Sequence, residues 1–250
     1  MKKKTTPMDA LLGIALFFVL WQAAAMLLDR DILPSPLVVA PIFCRGMAGE
    51  LGLHFLASTG RVLAAVLLAL VFAAPLGLAL GQMPKLDRIV GPLVAIIYPI
   101  PKIVFLPVIY VLIGISDFSK ILLIAIIIFF QIVVVVRDEA AGLKKELILS
   151  VRSLGAGRRA LFRYVYLPAS IPAVLTALRL SVGTAVAVLF IAEQSLTQYG
   201  LGYYIVIETY QVLMYPQMYA GILSMAVMGV ALYFVIYAIE LKVGRHLFIE

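Results

Sequence analysis

The chain has 250 residues, 64% of them hydrophobic and only 13% charged, with a net charge of +7. Soluble domains carry about one quarter charged residues, so this composition excludes a soluble enzyme and implies an integral membrane protein. The positive excess reads as membrane topology and contact with anionic lipid of the bilayer; it does not suggest nucleic acid.

A bilayer-spanning helix needs about 20 mainly apolar residues, and six spans can be drawn. The first, residues 10–28, carries no charge and follows a lysine run. Its apolar length exceeds the roughly 7–15 residues of a secretory signal core, so an uncleaved span is expected. Residues 37–47 are amphipathic and predict a short helix on the membrane surface with Arg45 exposed, which either receives a binding protein or covers the bundle edge. The second span is residues 62–83, where Ala73, Gly77 and Gly81 permit close helix approach and Pro75 permits a bend.

The third span lies within residues 89–116 and is interrupted by Pro99, Pro101 and Lys102. The fourth, residues 121–136, covers about 24 Å at 1.5 Å per residue, so Lys120 and Arg137 are expected to snorkel at its two ends. The fifth spans residues 171–194 around Arg179, and the sixth residues 219–239. Between them, residues 201–211 predict a short re-entrant or gating helix with Glu208 facing water. Tyr98, Phe105, Tyr110, Met214 and Tyr215 read as interface anchors rather than as an aromatic lining.

Lys and Arg favour cytoplasmic loops. With the N-terminus inside, Lys2, Lys3, Lys4, Lys85, Arg88, Arg137, Lys144, Lys145, Arg152, Arg158, Arg159, Arg163, Lys242 and Arg245 fall on the inner side. Only Arg30, Arg45, Arg61 and Lys120 fall outside. Both termini and residues 137–170 are therefore expected in the cytoplasm.

Cys44 alone allows no internal disulfide, and the distant His54 and His246 predict no metal constellation. The absence of any Gly-Lys dipeptide excludes a phosphate-cradling loop of the usual type, so nucleotide energy has to come from another chain. No group of carboxylates, histidines or cysteines converges at catalytic spacing, and no catalytic residue is expected.

Residues 149–168, LSVRSLGAGRRALFRYVYLP, form a basic loop punctuated by glycine between apolar segments. Glu146 to Leu154 predicts a helix with Leu147, Val151 and Leu154 on one face, stopped by Gly155, with a second turn from Ala156. Arg158, Arg159 and Arg163 add a basic face, and Leu167-Pro168 and Ile171-Pro172 are expected to break the chain as it returns to the membrane. A solvated loop explains the charge, but the helix-Gly-helix-Leu-Pro arrangement points to a docking surface for a cytoplasmic partner.

This segment resembles the cytoplasmic loop of ABC importer permeases, whose pattern is Glu-Ala-Ala, three residues, Gly, nine residues, Ile, one residue, Leu-Pro. Gly155, Val165, Leu167 and Pro168 fit that spacing. Counting back from Gly155 puts the family's Glu-Ala-Ala at Leu149, Ser150 and Val151, so its glutamate is missing, and Glu146 stands one turn earlier. The literal Glu139-Ala140-Ala141 is a decoy, because its spacing puts Lys145 where glycine is required. RSLGA at residues 152–156, LPASIPAVLTALRLSVG at 167–183, ILPSP at 32–36, YPIPKIVFLPVIYVLIGIS at 98–116 and AEQSLTQYGLGYYI at 192–205 resemble the nitrate, sulfonate and taurine branch.

The resemblance implies an all-α, polytopic permease of the type I ABC importer fold, with about six transmembrane helices in a single domain over residues 1–250. Residues 1–54 would hold the first span and outer segment, 55–245 the core helices, and 138–170 the coupling loop. It implies a second permease copy, by default identical, two cytoplasmic subunits that bind ATP and Mg, an extracytoplasmic solute-binding protein, and a bacterial inner-membrane location. This chain itself would carry no cofactor. Glu146, Leu149, Ser150, Val151, Arg152, Ser153, Leu154, Gly155, Ala156, Arg158, Arg159, Leu167 and Pro168 would couple ATP hydrolysis to transport of a small anionic or heteroaromatic solute. Lys102, Arg179 and Glu193 are candidate path residues, although an interface position for Lys102 and pairing within the bundle for Arg179 compete with that role. A secondary transporter working without ATP is the alternative, but it would show related halves, and no internal repeat is visible. A membrane enzyme fits least.

Overall fold

The computed structural model describes residues 7–143, 145–194 and 196–247. Lys2, Lys3, Lys4 and Lys144 lie outside the described residues. All regular structure among the described residues is helical: α1 (Pro7–Leu28), α2 (Pro36–Met47), α3 (Glu50–Gln82), α4 (Pro84–Ile97), α5 (Leu106–Ile113), α6 (Asp117–Ala141), α7 (Lys145–Ser153), α8 (Arg158–Leu161), α9 (Leu167–Glu193), α10 (Leu201–Tyr203) and α11 (Tyr215–Leu247). A 3₁₀ turn at Lys102–Phe105 precedes α5, and π-helical turns at Phe162–Tyr166 and Tyr204–Tyr210 follow α8 and α10.

Helix α3, helix α6, the run Arg159–Glu193 and the run Tyr215–Val243 are long and apolar enough to cross a bilayer. Helix α4 and the run Lys102–Ile113 supply a fifth crossing, bent by 83°. The bend follows from Pro99 and Pro101, which remove two backbone donors within three residues. Where the sequence predicts a first span, α1 offers the shorter apolar stretch Leu12–Leu28. It is tied in where Trp21 Nε1 donates to the Pro34 carbonyl at 3.1 Å and stacks on Tyr219.

Helices α3 and α6 run side by side in the same direction, and α9 runs against them. Arg61 meets Asp117 and Glu193 at one end, while Gly81 lies on Ala140 at the other, next to α7. The second of these is called the loop end here, and the first the far end. Val62, Ala65, Ala69, Ala73 and Gly77 recur at spacings of three and four on the buried face of α3. Ile124, Ile128, Ile132 and Val136 do the same on α6, and each has zero exposure. Lipid is as apolar as leucine, so such helices associate through close packing, and small residues permit it.

A Cβ on Gly81 would lie 2.6 Å from the Ala140 Cβ and 2.6 Å from the Arg137 carbonyl oxygen. Gly81→Leu is therefore expected to destabilise the fold by at least about 1–3 kcal/mol through overpacking. Gly60, with nothing within 4 Å of an added Cβ, accepts alanine as the control. Thermal melting in detergent measures both.

Three expectations are corrected. Helix α6 is 25 residues long, because Ser116 caps it by accepting the Ser119 N–H at 3.3 Å. Its end cations do not both reach for the interface: Lys120 is buried and donates to the Ser116 carbonyl at 3.4 Å, whereas half-buried Arg137 pairs with Asp87 at 2.5 Å. Nor do Pro168 and Pro172 break the return to the membrane, since the helical run continues from Arg159 to Glu193. The chain passes through Pro168 by a wide π-helical turn, Phe162–Tyr166, directly before Leu167, whose N–H donates to the Phe162 carbonyl.

Candidate functional site

At the loop end the predicted docking segment is present as α7, a turn, α8 and the π-helical turn. Gly155 adopts φ +84°, a conformation that favours glycine, and its N–H donates to the Arg152 carbonyl at 3.0 Å, closing the helix. Glu146, Leu149, Ser150, Arg152, Ser153 and Leu154 are exposed, with Leu149 61% and Leu154 84% accessible. Val151 and Ala156 are half-buried. Leu149 on α7 and Leu154 in the turn that follows it are thus apolar side chains presented outward beside Gly155. Arg159 and Arg163 are exposed beside it, while the side chain of Arg158 lies outside the described residues.

Val165, at the position where the importer pattern has isoleucine, is buried, as is Leu161. Leu167 and Pro168 occupy the first turn of α9. From Arg159 the helical run continues for 35 residues, about 52 Å at 1.5 Å per residue, and ends at Glu193.

That far end holds a buried ionic cluster. Glu193 has zero exposure; its carboxylate accepts from Arg61 at 2.5 Å, from Ser58 at 2.8 and 2.9 Å, and from the Gly202 N–H at 2.9 Å. Arg61 also donates to Asp117 at 2.6 and 3.0 Å and to the Tyr199 carbonyl at 2.7 Å. Every face of the buried charge is thus matched, the condition under which an ion pair survives burial. One guanidinium joins α3, α6, the end of α9 and the segment after it.

The sequence picks out Glu193 but treats Arg61 as an outer loop cation and does not single out Ser58 or Asp117. The available signal was Arg61 at the head of an uncharged span and Glu193 at the tail of another, two opposite charges at the same depth. Beside the cluster, His54 and Glu208 approach to 3.3 Å, and Glu208 is half-buried rather than facing water. Burial, with the nearby Glu50 carboxylate adding to it, raises the Glu208 carboxyl above its ordinary range.

Lys102 and Arg179 are placed elsewhere. Lys102 is buried at the bend, where its ammonium donates to the carbonyls of Ile97, Tyr98 and Ile100 at 2.9, 3.0 and 3.2 Å and lies 4.6 Å from the Phe130 ring centroid. It caps the carbonyls that the broken helix leaves open. It also lines a cavity of about 330 Å³ with Tyr98, Gln131 and Val188. Arg179 pairs with Glu240 at 3.3 Å and packs over Tyr233 and Tyr237, which holds α9 to α11 within the bundle.

Lys102→Ala is expected to lower the melting temperature, because three carbonyls lose their donor at about 1–3 kcal/mol for each buried group left unpaired. Uptake should fall with it. Unchanged melting would show that water replaces the ammonium.

Comparison with known proteins agrees with this architecture. Residues 65–247 match the family described as binding-protein-dependent transport system inner membrane component. The chain is similar to the taurine transport system permease protein TauC of Escherichia coli strain K12, at 32% identity over 63% of this chain and 57% of that protein, so it spans little more than half of that relative's length. It is also similar to the putative aliphatic sulfonates transport permease protein SsuC of Bacillus subtilis strain 168, at 27% identity over 91% of this chain and 83% of that one. Among solved structures, an inward-facing conformation of the MetNI methionine ABC transporter superposes with a TM-score of 0.66 at 20% identity, over 79% of this chain and 98% of that chain. A helical bundle with one bent crossing, an exposed helix-Gly-helix segment and a family match over most of its length make this chain a member of the binding-protein-dependent transport system inner membrane component family, a membrane-spanning ABC permease.

Proposed function

We propose that two identical copies of this chain form the solute path of an ATP-driven importer that works by alternating access. Two cytoplasmic subunits carrying ATP and Mg dock on α7 and the turn at Gly155, and an extracytoplasmic binding protein delivers solute at the far end. The ends of α1 and α11 and residues 138–170 lie on the cytoplasmic side, in keeping with the placement of Lys and Arg.

The observation that carries this reading is the exposed α7–Gly155–α8 segment, continuous with a helical rod ending at the Arg61–Glu193 cluster. Closure of the ATPases on nucleotide binding pushes the knob of Leu149 and Leu154, and the rod carries that rigid-body displacement to the far end, which opens. Hydrolysis releases it. Leu149 stands where the importer pattern has glutamate, so the contact at that position is apolar, with Glu146 one turn away on the same helix supplying the carboxylate.

The likeness to permeases named for taurine and aliphatic sulfonates supports a small sulfonate-like anion as solute. With its donors engaged by backbone, Lys102 contributes positive potential at the bend rather than a free hand for the anion.

Purification in mild detergent from the native membrane, followed by mass spectrometry, tests the assembly. Recovery of an ATPase and a solute-binding protein with the chain, and ATP-dependent uptake by the reconstituted set, is the expected result. Transport by the chain alone in liposomes without ATP would overturn it.

A further inference from the structure

A second cluster at the far end lies beside the ionic network and has no part in it. Glu50 and His54 stand four residues apart on the first turns of α3, which puts them on one face. Glu208 comes from the π-helical turn Tyr204–Tyr210, between α9 and α11. One potential ligand atom from each of the three lies within 4.8 Å of the others.

The imidazole of His54 has zero exposure and is enclosed by the rings of Tyr199, Tyr203 and Tyr204 at centroid distances of 5.8, 6.2 and 5.3 Å. Its Nδ1 lies 3.1 Å from the Gly200 carbonyl oxygen and 3.0 Å from the Gly200 nitrogen. Its Nε2 is buried, has no hydrogen-bond partner, and sits 3.3 Å from Glu208 Oε2. A buried ring nitrogen left unmatched is costly unless something pairs with it.

We propose that Glu50, His54 and Glu208 form a site for one divalent transition-metal ion, best suited to zinc, that ties the start of α3 to residues 204–210. Tetrahedral zinc with bonds of about 2.0–2.1 Å holds its ligand atoms roughly 3.3 Å apart, the separation already present between His54 and Glu208. Glu50 is exposed and free to swing by the small distance that closes the third bond, and water takes the fourth position. Metal binding would select the tautomer in which Nδ1–H donates to the Gly200 carbonyl and Nε2 presents its lone pair, over the one in which Nδ1 accepts from the Gly200 N–H and Nε2–H faces Glu208. One imidazole and two carboxylates suit zinc better than calcium or magnesium, which require more oxygen ligands.

The proposal goes beyond the transport reading and does not depend on it. An ion here would pin the segment after α9 to α3, the same two parts that Arg61 joins through the Tyr199 carbonyl and Ser58 through the Leu201 N–H.

The test uses the untagged full chain in nanodiscs, stripped with EDTA and titrated calorimetrically with zinc chloride. One zinc per chain is expected, uncompeted by magnesium, with a rise in melting temperature. Glu50→Gln and Glu208→Gln should each weaken binding by at least about tenfold, since even partners one shell further out are worth that much. Because Glu50 is exposed, Glu50→Gln keeps the zinc-free melting temperature of the parent and isolates ligation from folding. No saturable zinc binding, or equal affinity in parent and both variants, would overturn the site and leave His54 as a hydrogen-bonding neighbour of Glu208.

Discussion

Gly155→Pro is expected to abolish solute uptake while the complex still hydrolyses ATP. Gly155 adopts φ +84°, whereas proline is held near −65°, and proline also removes the N–H that bonds the Arg152 carbonyl. The turn has to change its path, and α7 leaves its position relative to α8. A local cost of about 3 kcal/mol corresponds to roughly a hundredfold loss of the docked geometry at about 1.4 kcal/mol per factor of ten. The variant should retain basal ATPase activity in proteoliposomes but lose its stimulation by the loaded binding protein. Charge reversal at Arg158 and Arg159 should act in the same direction and more weakly. Gly157 has open space around it and no positive φ, so Gly157→Ala is the matched control. Normal coupling in the proline variant would remove this segment from the transmission path.

Arg61→Met should be the most destabilising single substitution at the far end. It leaves the Glu193 carboxylate buried with only Ser58 and the Gly202 N–H for support, and it frees Asp117 and the Tyr199 carbonyl. Removing one partner of a buried pair costs about 3–5 kcal/mol. Arg61→Lys should recover little, because a single ammonium cannot span Asp117, Glu193 and the Tyr199 carbonyl as the guanidinium fork does. Adding Glu193→Gln to Arg61→Met should restore part of the loss, since a neutral amide tolerates burial better than an unpaired charge. Melting temperatures of the three variants in one detergent decide it; no recovery in the double variant would mean that the unpaired Glu193 charge is not the source of the loss.

These two sites differ in how far they could be read without coordinates. The segment around Gly155 was legible because its pattern is local: helix-forming residues, a glycine at the stop and Leu-Pro at a fixed spacing. Coordinates altered only its last step, where a π-helical turn carries the chain through Pro168 instead of breaking at it. Lys102 was found as an anomaly within an apolar run, yet its three carbonyl partners lie within five residues of it and become available only because the chain bends by 83°. The distance between His54 and His246 argues against a histidine pair on a metal; that Glu208 comes close to Glu50 and His54, the ground of the zinc proposal, depends on how residues 204–210 fold back on α3.

Hydropathy, the Lys and Arg distribution and the loop motif are sums or spacings along the chain; by themselves they pointed to a membrane-spanning protein, drew six spans where the described helices supply four or five, and marked out residues 149–168 as the candidate docking segment. Only the tertiary structure decided that Arg61 closes on Glu193 and Asp117, that His54 meets Gly200 and Glu208, and that Lys120 is buried. Those pairings depend on which helix faces turn toward one another, and in lipid that is settled by close packing of small residues such as Gly77 and Gly81 against α6, which a one-dimensional pattern permits without choosing the partner helix.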